Sequence, residues 1–108
     1  MLIERNEIFA SIHKDFAKIS IDLFCDKKNE TQMYAIAKHL IQAIICYQYV
    51  GSFKQADELI DLFCKLVIFK TLKNEHKSKI IDASKMIIKP ERLNNYDNLM
   101  KAIYSQSA

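Results

Sequence analysis

The sequence predicts an all-α protein of about five antiparallel helices, folded as one domain over residues 1–108. Large apolar residues recur every three or four positions along most of the chain, which is the period of an α-helix. Strand-like alternation of apolar and polar residues persists nowhere. The chain contains a single Gly and a single Pro, so few positions force the backbone to turn. Short loops follow, and they favour either an array of helical hairpins or a small bundle.

The first helix is predicted from about Leu2 to Cys25. Its apolar side chains keep helical spacing and form a stripe, which includes Ile8, Phe9, Ile12, Phe16, Ile19, Leu23 and Phe24. The polar run at 26–29 ends this helix, and Asn29 is placed to cap the next one. The pattern leaves open whether the first helix packs beside the second or reaches another chain.

The second helix carries the widest apolar band, which predicts that it is the central and most buried element. The band comprises Met33, Ile36, Ala37, Leu40, Ile41, Ile44, Ile45 and Cys46. The second helix is expected to end at Gly51, because Gly can adopt the positive φ of a residue that closes a helix. Ser52 and Gln55 have the spacing of a capping box that opens the third helix. That helix is expected to reach about Lys73, and the two helices form an antiparallel hairpin.

The last two helices are predicted on either side of the only Pro. Asn74 is placed to cap the fourth, and its apolar positions are Ile80, Ile81, Ala83, Met86 and Ile87. Pro90 disfavours the α conformation for Lys89, so the fourth helix should end there. Pro90 also suits the first turn of the fifth helix. The stripe of that helix comprises Leu93, Tyr96, Met100, Ile103 and Tyr104.

Nine residues around the Gly51 turn have the order and spacing of a tetratricopeptide repeat: Leu40, Ala43, Ile44, Tyr47, Gly51, Phe53, Ala56, Ile60 and Phe63. The segment resembles one repeat unit of about 34 residues, and among small proteins it looks like the units of bacterial type III secretion chaperones. The resemblance implies a hairpin at about 31–73, capping helices at 75–105 and a close helix approach at Ala56. It also implies a partner, namely a secretion-apparatus or effector polypeptide that is kept soluble.

A second sign of repetition is the pentapeptide Ile-Asp-Leu-Phe-Cys, which occurs at 21–25 and again at 60–64. A structural repeat and a coincidence between two amphipathic helices both remain open. If the repeat is structural, the first helix is half of a degenerate unit, and helices two and three form the complete unit.

The sequence offers no support for catalysis, a metal site or a cofactor, and we predict a protein that is not an enzyme. The histidines, His13, His39 and His76, are scattered over three helices without ligand spacing. The cysteines are odd in number and far apart, and we expect buried free thiols at Cys25, Cys46 and Cys64. The single Gly excludes Gly-rich phosphate loops. The helix dipole accounts for the acidic residues Asp57, Glu58 and Asp61.

The expected location is the cytoplasm. No apolar run approaches the about 20 residues that a membrane span requires. Charged residues near the start of the chain argue against a signal peptide.

The net charge of +3 is unevenly distributed. Residues 1–64 carry seven basic against nine acidic side chains, whereas residues 65–92 carry eight against three. This basic block suggests a binding role. Our first hypothesis is a protein–protein interaction module, a small chaperone or adaptor that holds a helical or extended partner segment in a groove of helices two to four. Candidate contacts are Tyr49, Lys70, Lys73 and Lys77.

Two alternatives come from different classes of protein. A small helical nucleic-acid-binding regulator would use the basic block at 65–92, although Arg, which makes the commonest base contact, is scarce there. A self-associating bundle with no further ligand would form a homo-oligomer, to which the fifth helix could contribute by docking onto a second copy. A hetero-oligomer with a protein partner also stays open.

Overall fold

The computed structural model describes residues 8–16, 18–19, 30–66 and 72–104. Within these ranges the protein is all-α and contains no strand, which confirms the predicted fold class. We use α1 for the helical residues 8–16 and 18–19. The other elements are α2 (Glu30–Tyr49), α3 (Phe53–Leu66), α4 (Asn74–Ser84), a 3₁₀ turn (Pro90–Arg92) and α5 (Tyr96–Tyr104).

The centre of the fold is α2, as its wide apolar band predicts. Half of its 20 residues are buried: Met33, Ile36, Ala37, Leu40, Ile41, Ala43, Ile44, Ile45, Tyr47 and Gln48. It packs against both α3 and α4, and α3 also packs against α5. A helix that is apolar over most of its circumference needs neighbours on several sides, and this arrangement provides them.

The turn between α2 and α3 has the hydrogen bonds of a Schellman motif, with Gly51 at a φ of +79°. The backbone N–H of Gly51 donates to the carbonyl of Gln48 at 3.0 Å. The N–H of Ser52 donates to the carbonyl of Tyr47 at 2.8 Å. These bonds satisfy carbonyls at the end of α2, and α3 begins two residues after the Gly. The hairpin predicted around Gly51 is therefore present.

The capping box predicted for α3 conflicts with this turn. In such a box the side chain of Gln55 accepts the backbone N–H of Ser52. That N–H already donates to the carbonyl of Tyr47. The end of α2 thus uses the donor that the start of α3 was expected to use.

Leu72 and Lys73 lie outside the third helix, which the sequence extends to about Lys73. Leu72 lies in a bend, and Lys73 is extended, with a ψ of 152°, at the N-cap of α4. Asn74, the expected cap, is instead the first residue of α4. The physical reason lies in α2, because the carboxylate of Glu30 accepts the backbone N–H of Lys73 at 2.9 Å. A charged acceptor at this helix N-terminus also suits the helix dipole.

The fourth helix ends earlier than the sequence predicts, at Ser84 rather than near Lys89. Met86 lies in a turn and is largely exposed. The side chain of Gln48 explains the early end, because its Oε1 accepts the backbone N–H of Ile88 at 2.8 Å. This bond holds the chain outside the helical path.

The fifth helix begins later than predicted. Pro90 opens only the short 3₁₀ turn, after Lys89 in the left-handed conformation, and α5 starts at Tyr96. The carboxylate of Asp57 on α3 accepts the backbone N–H of Asn95 at 2.7 Å. This contact fixes the residue that precedes α5, and therefore the position at which α5 can begin.

Several predictions lie outside the described residues. They are the limits of the first helix at Leu2 and Cys25, the cap at Asn29, the first pentapeptide copy at 21–25, and the contact residue Lys70. The interpretation of the pentapeptide as a structural repeat therefore stays a hypothesis.

Candidate functional site

The most distinctive surface of the described structure lies on α1. Four large apolar side chains, each more than half exposed, form what we call the outer stripe: Ile8, Ile12, Phe16 and Ile19. At about 100° per residue they project within an arc of roughly 80°. Phe9 borders this arc and is 46% exposed. The stripe that the sequence predicts on the first helix is therefore present in the described part, but it faces outward.

The opposite side of α1 lies against the protein. Ala10 projects away from the outer stripe and is fully buried. His13, which is partly buried, contacts His39 of α2 through their Nδ1 atoms at 2.9 Å. The edge of the stripe also touches α2, because the ring centroids of Phe16 and His39 are 4.5 Å apart. A small residue and a polar one thus attach α1, while its most apolar face remains accessible.

Burial lowers the pKa of both histidines at this contact below the ordinary value. The ammonium group of Lys38 lowers the pKa values of both further, and the positive form of His13 lowers that of His39. Sequence reasoning treated His13 and His39 as isolated residues because they are 26 positions apart. Only the packing of two helices brings their rings together.

A cleft of about 310 Å³ adjoins the same helix. It is lined by Lys14 and Lys18 of α1, Tyr47 of α2, and Gln55, Glu58, Leu59 and Leu62 of α3. This volume is at the lower limit of small-molecule sites, which are about 300–1,000 Å³. Its apolar floor and charged rim suit one or two side chains of a partner.

The described candidate contact residues do not lie together. Tyr49 is 53% exposed at the end of α2. Lys73 contacts Glu30, the first residue of α2. Glu30 and Tyr49 are 19 residues apart in α2, which corresponds to about 28 Å along the helix. Tyr49 and Lys73 therefore cannot line one small site. Lys77 does lie beside Lys73, since its backbone N–H donates to the carbonyl of Lys73 at 2.9 Å.

Carboxylates are close to several members of the basic block. Lys65 pairs with Asp61 at 2.9 Å, Lys79 with Glu75 at 3.8 Å, and Lys85 with Asp82 at 3.6 Å. The hydrogen bond that Lys65 donates to Asp61 raises the pKa of Lys65. The guanidinium of Arg92 lies over the ring of Phe53 at 4.8 Å. The three carboxylates, but not the neutral ring of Phe53, reduce the positive potential close to their Lys partners.

A second polar cluster joins α2 to α4. Besides Lys73, the Oε1 of Glu30 contacts Nδ1 of His76 at 2.5 Å. The His76 ring stacks on Tyr34 with 3.9 Å between centroids and 5° between planes. The backbone N–H of Lys73 is the main cause that lowers the pKa of Glu30. Each of these contacts crosses from α2 to the first turn of α4, so we assign the cluster a structural role.

Asp57 and Asp61 of α3 have individual partners, which the helix dipole does not explain. Asp57 binds the backbone N–H of Asn95 at 2.7 Å, and the side-chain Nδ2 of Asn95 donates to Asp57 Oδ2 at 3.2 Å. Asp61 binds Lys65, one turn further along. Asp57 therefore anchors α5, a role that its position near a helix N-terminus did not indicate.

The described cysteines have the properties of structural thiols. Cys46 and Cys64 are free and partly buried, and burial raises the pKa of both. A raised pKa lowers the thiolate fraction and therefore the reactivity. Cys25, the third predicted thiol, lies outside the described residues.

No group of three or more His, Cys, Asp or Glu side chains among the described residues could hold a metal ion. None of the helices in the described ranges has both the length and the hydropathy to cross a bilayer.

In comparisons with known proteins, no family model, no curated protein and no solved structure matches this chain.

Proposed function

We propose that this protein is a non-enzymatic protein–protein interaction module, a small chaperone or adaptor. Its outer stripe on α1 binds an amphipathic helix of a partner protein. The observation that carries this function is the exposure of four large apolar side chains on one face of a helix whose opposite side is buried. Their spacing of three and four residues is the one that a second helix can follow.

The energy available at the outer stripe suits a moderate affinity. Full burial of an Ile or Phe side chain stabilises by about 1.5–3 kcal/mol. Since each of the four is more than half exposed, covering them would contribute roughly 3–6 kcal/mol in total. Association itself costs several kcal/mol. Further contacts are therefore needed, and the cleft beside α1 supplies a place for them.

The groove that the sequence suggested, formed by helices two to four, is less suitable. α4 of the same chain packs on α2, and α5 packs on α3. The apolar faces that would line such a groove are thus already covered from within the molecule. If the resemblance to type III secretion chaperones reflects function, the partner helix belongs to a secretion-apparatus or effector polypeptide.

Nucleic-acid binding is the weaker hypothesis, because ion pairs reduce the field of the basic block. Salt separates the two hypotheses. Binding to phosphates weakens steeply as salt rises, whereas apolar burial on α1 changes little. A complex with a partner protein that is lost on moderate addition of salt would contradict binding through the outer stripe.

Site-specific crosslinking in the native cell identifies the partner. A photoreactive residue at Ile12 should capture one discrete protein, and the same residue at Met86 should not. The two positions are matched, because each side chain is 54% exposed, but Met86 lies in the turn after α4.

The affinity of the captured segment is then measured by calorimetry. Ile12→Asp should weaken binding by about tenfold or more, which corresponds to 1.4 kcal/mol, because a charge would enter an apolar contact. Met86→Asp should leave the affinity unchanged. Equal effects of the two variants would contradict the proposed surface. If the wild-type protein formed a concentration-dependent dimer and the Ile12→Asp variant were monomeric, the outer stripe would serve self-association instead.

A further inference from the structure

The contact between His13 and His39 imposes a limit on protonation. Their Nδ1 atoms are 2.9 Å apart, a distance at which one nitrogen must donate a proton and the other must accept it. Two neutral rings of complementary tautomers satisfy this requirement, and so do one neutral and one charged ring. Two charged rings do not, because each Nδ1 then carries a proton. The doubly protonated pair would lose its hydrogen bond and add repulsion between two positive charges.

The surroundings oppose added positive charge. Lys38 of α2 is adjacent to His39, and its ammonium lowers the pKa of both rings after the larger effect of burial. From α1, the ring of Phe16 lies against His39. Lys14 lines the neighbouring cleft, and Asp15 is exposed and lies two residues beyond His13. Two residues correspond to about 200° of helix rotation, so Asp15 projects away from the pair.

We propose that the His13–His39 contact is a pH-dependent clasp, which holds α1 against α2 near neutral pH and releases it when both rings are protonated. The direction follows from proton linkage. The docked helix binds fewer protons than the released one, because docking lowers the pKa of both histidines below their ordinary 6.5. Docking therefore strengthens as pH rises and is lost as pH falls below 6.5 towards the lowered pKa values.

A proton suits this contact better than a metal ion. The described residues provide two imidazoles here and no group of three or more ligands. The field of Lys38 also opposes a divalent cation more strongly than a single proton. The clasp concerns only the docking of α1 within the chain, so it can be tested without any partner.

Hydrogen exchange measured by NMR tests the clasp. Helices in proteins owe most of their stability to the packing of an apolar face against neighbouring elements, so released α1 should lose its amide protection. The protection factors of the amides from Ile12 to Phe16 should fall by about tenfold or more between about pH 7.5 and pH 5.5. Those of Ile41 and Ile44, in the core, should change little. Constant protection across α1 over this range would overturn the clasp.

Substitutions connect the change to this pair. A His13→Gln, His39→Gln double variant can keep a neutral donor and acceptor, and its α1 protection should not depend on pH. His76→Gln leaves the pair intact and should retain the pH dependence of the wild type. The same loss of protection in the double variant would contradict the proposal.

In the double variant, α1 could fail to dock on α2 at any pH. Titration of the histidine rings of the wild-type protein by NMR tests the proposal in that event. The apparent pKa of both His13 and His39 should lie below 6.5. Values of 6.5 or above for both rings would exclude the clasp, because the second protonation would then not be opposed.

Discussion

The helices α1 and α2 have similar sequence patterns but opposite environments. Both carry apolar residues at helical spacing, and the sequence alone treats both as amphipathic or buried helices. Ile36, Leu40 and Ile44 of α2 are fully buried, whereas the outer stripe of α1 is more than half exposed. Periodicity in a sequence therefore shows that a helix has an apolar face. It does not show what covers that face.

Neighbours decide between the two outcomes. α2 is covered by α3 and α4, and the fully buried Ala43 and Ala56 leave room in the hairpin core for the larger side chains. Polar side chains of the hairpin then fix the C-terminal segments, through Gln48 to Ile88 and Asp57 to Asn95. α1 lies on this unit through Ala10 and a histidine contact. More than half of the surface of each side chain in the outer stripe takes no part in that attachment.

The largest difference in stability should come from comparing the same Ile→Ala substitution in α2 and, separately, in α1. Ile44→Ala should lower the free energy of unfolding by about 2–5 kcal/mol, because it opens a cavity in the core. Ile12→Ala should change it by no more than about 0.5 kcal/mol. Denaturant unfolding measures both, provided that the slope of the transition is unchanged. A comparable loss in Ile12→Ala would show that the outer stripe is covered in the folded protein.

A smaller effect should separate two carboxylates of α3. Asp57→Ala leaves the backbone N–H of Asn95 without its acceptor and should cost about 1–3 kcal/mol. Asp61→Ala removes a surface ion pair with Lys65 and should cost no more than about 1 kcal/mol. Hydrogen exchange of α5 should rise only in Asp57→Ala. If α5 kept its protection in that variant, Asp57 would not be the anchor that fixes its start.

The turn that closes the hairpin gives the next effect. Gly51 has a φ of +79° and no atom within 4 Å of an added Cβ, so the cost of Gly51→Ala comes from backbone conformation alone. We expect a loss of about 1–2 kcal/mol. A thermal or denaturant transition identical to that of the wild type would mean that Gly51 does not require a positive φ.

The smallest effect on stability should be a gain, at Lys89. Lys89 has a φ of 45° without the freedom of Gly. Lys89→Gly relieves this strain but increases the entropy of the unfolded chain, so we expect a net gain of no more than about 1 kcal/mol. Lys85→Gly, at a helical φ of −68°, is the control. It should be destabilising, with only a small part of the loss from the exposed ion pair with Asp82. A loss in both variants would show that the conformation of Lys89 is not strained.

The sequence predicted the local features of the fold more reliably than the long-range ones. The hairpin, the positive φ of Gly51 and the central position of α2 all follow from neighbouring residues. The limits of α4 and α5 were wrong because contacts of Gln48 and Asp57 with distant backbone groups set them. Local spacing cannot show such contacts.

The candidate site shows the same division. The apolar spacing of the outer stripe is visible in the sequence, but its outward orientation depends on how α1 lies on α2. The pairing of His13 with His39 depends on the same packing. The binding function stays a proposal, since only the presence of an accessible apolar face supports it.

The contacts of the buried Gln48 side chain restrict which residue types position 48 can tolerate. It is 2% exposed, and its Oε1 must face the Ile88 N–H, which leaves Nε2 without a partner among the described residues. Met would fill the space without a good acceptor, and Glu would bring a desolvated negative charge. Homologues that keep this bend after α4 should therefore retain glutamine at position 48, even where the surrounding apolar residues interchange.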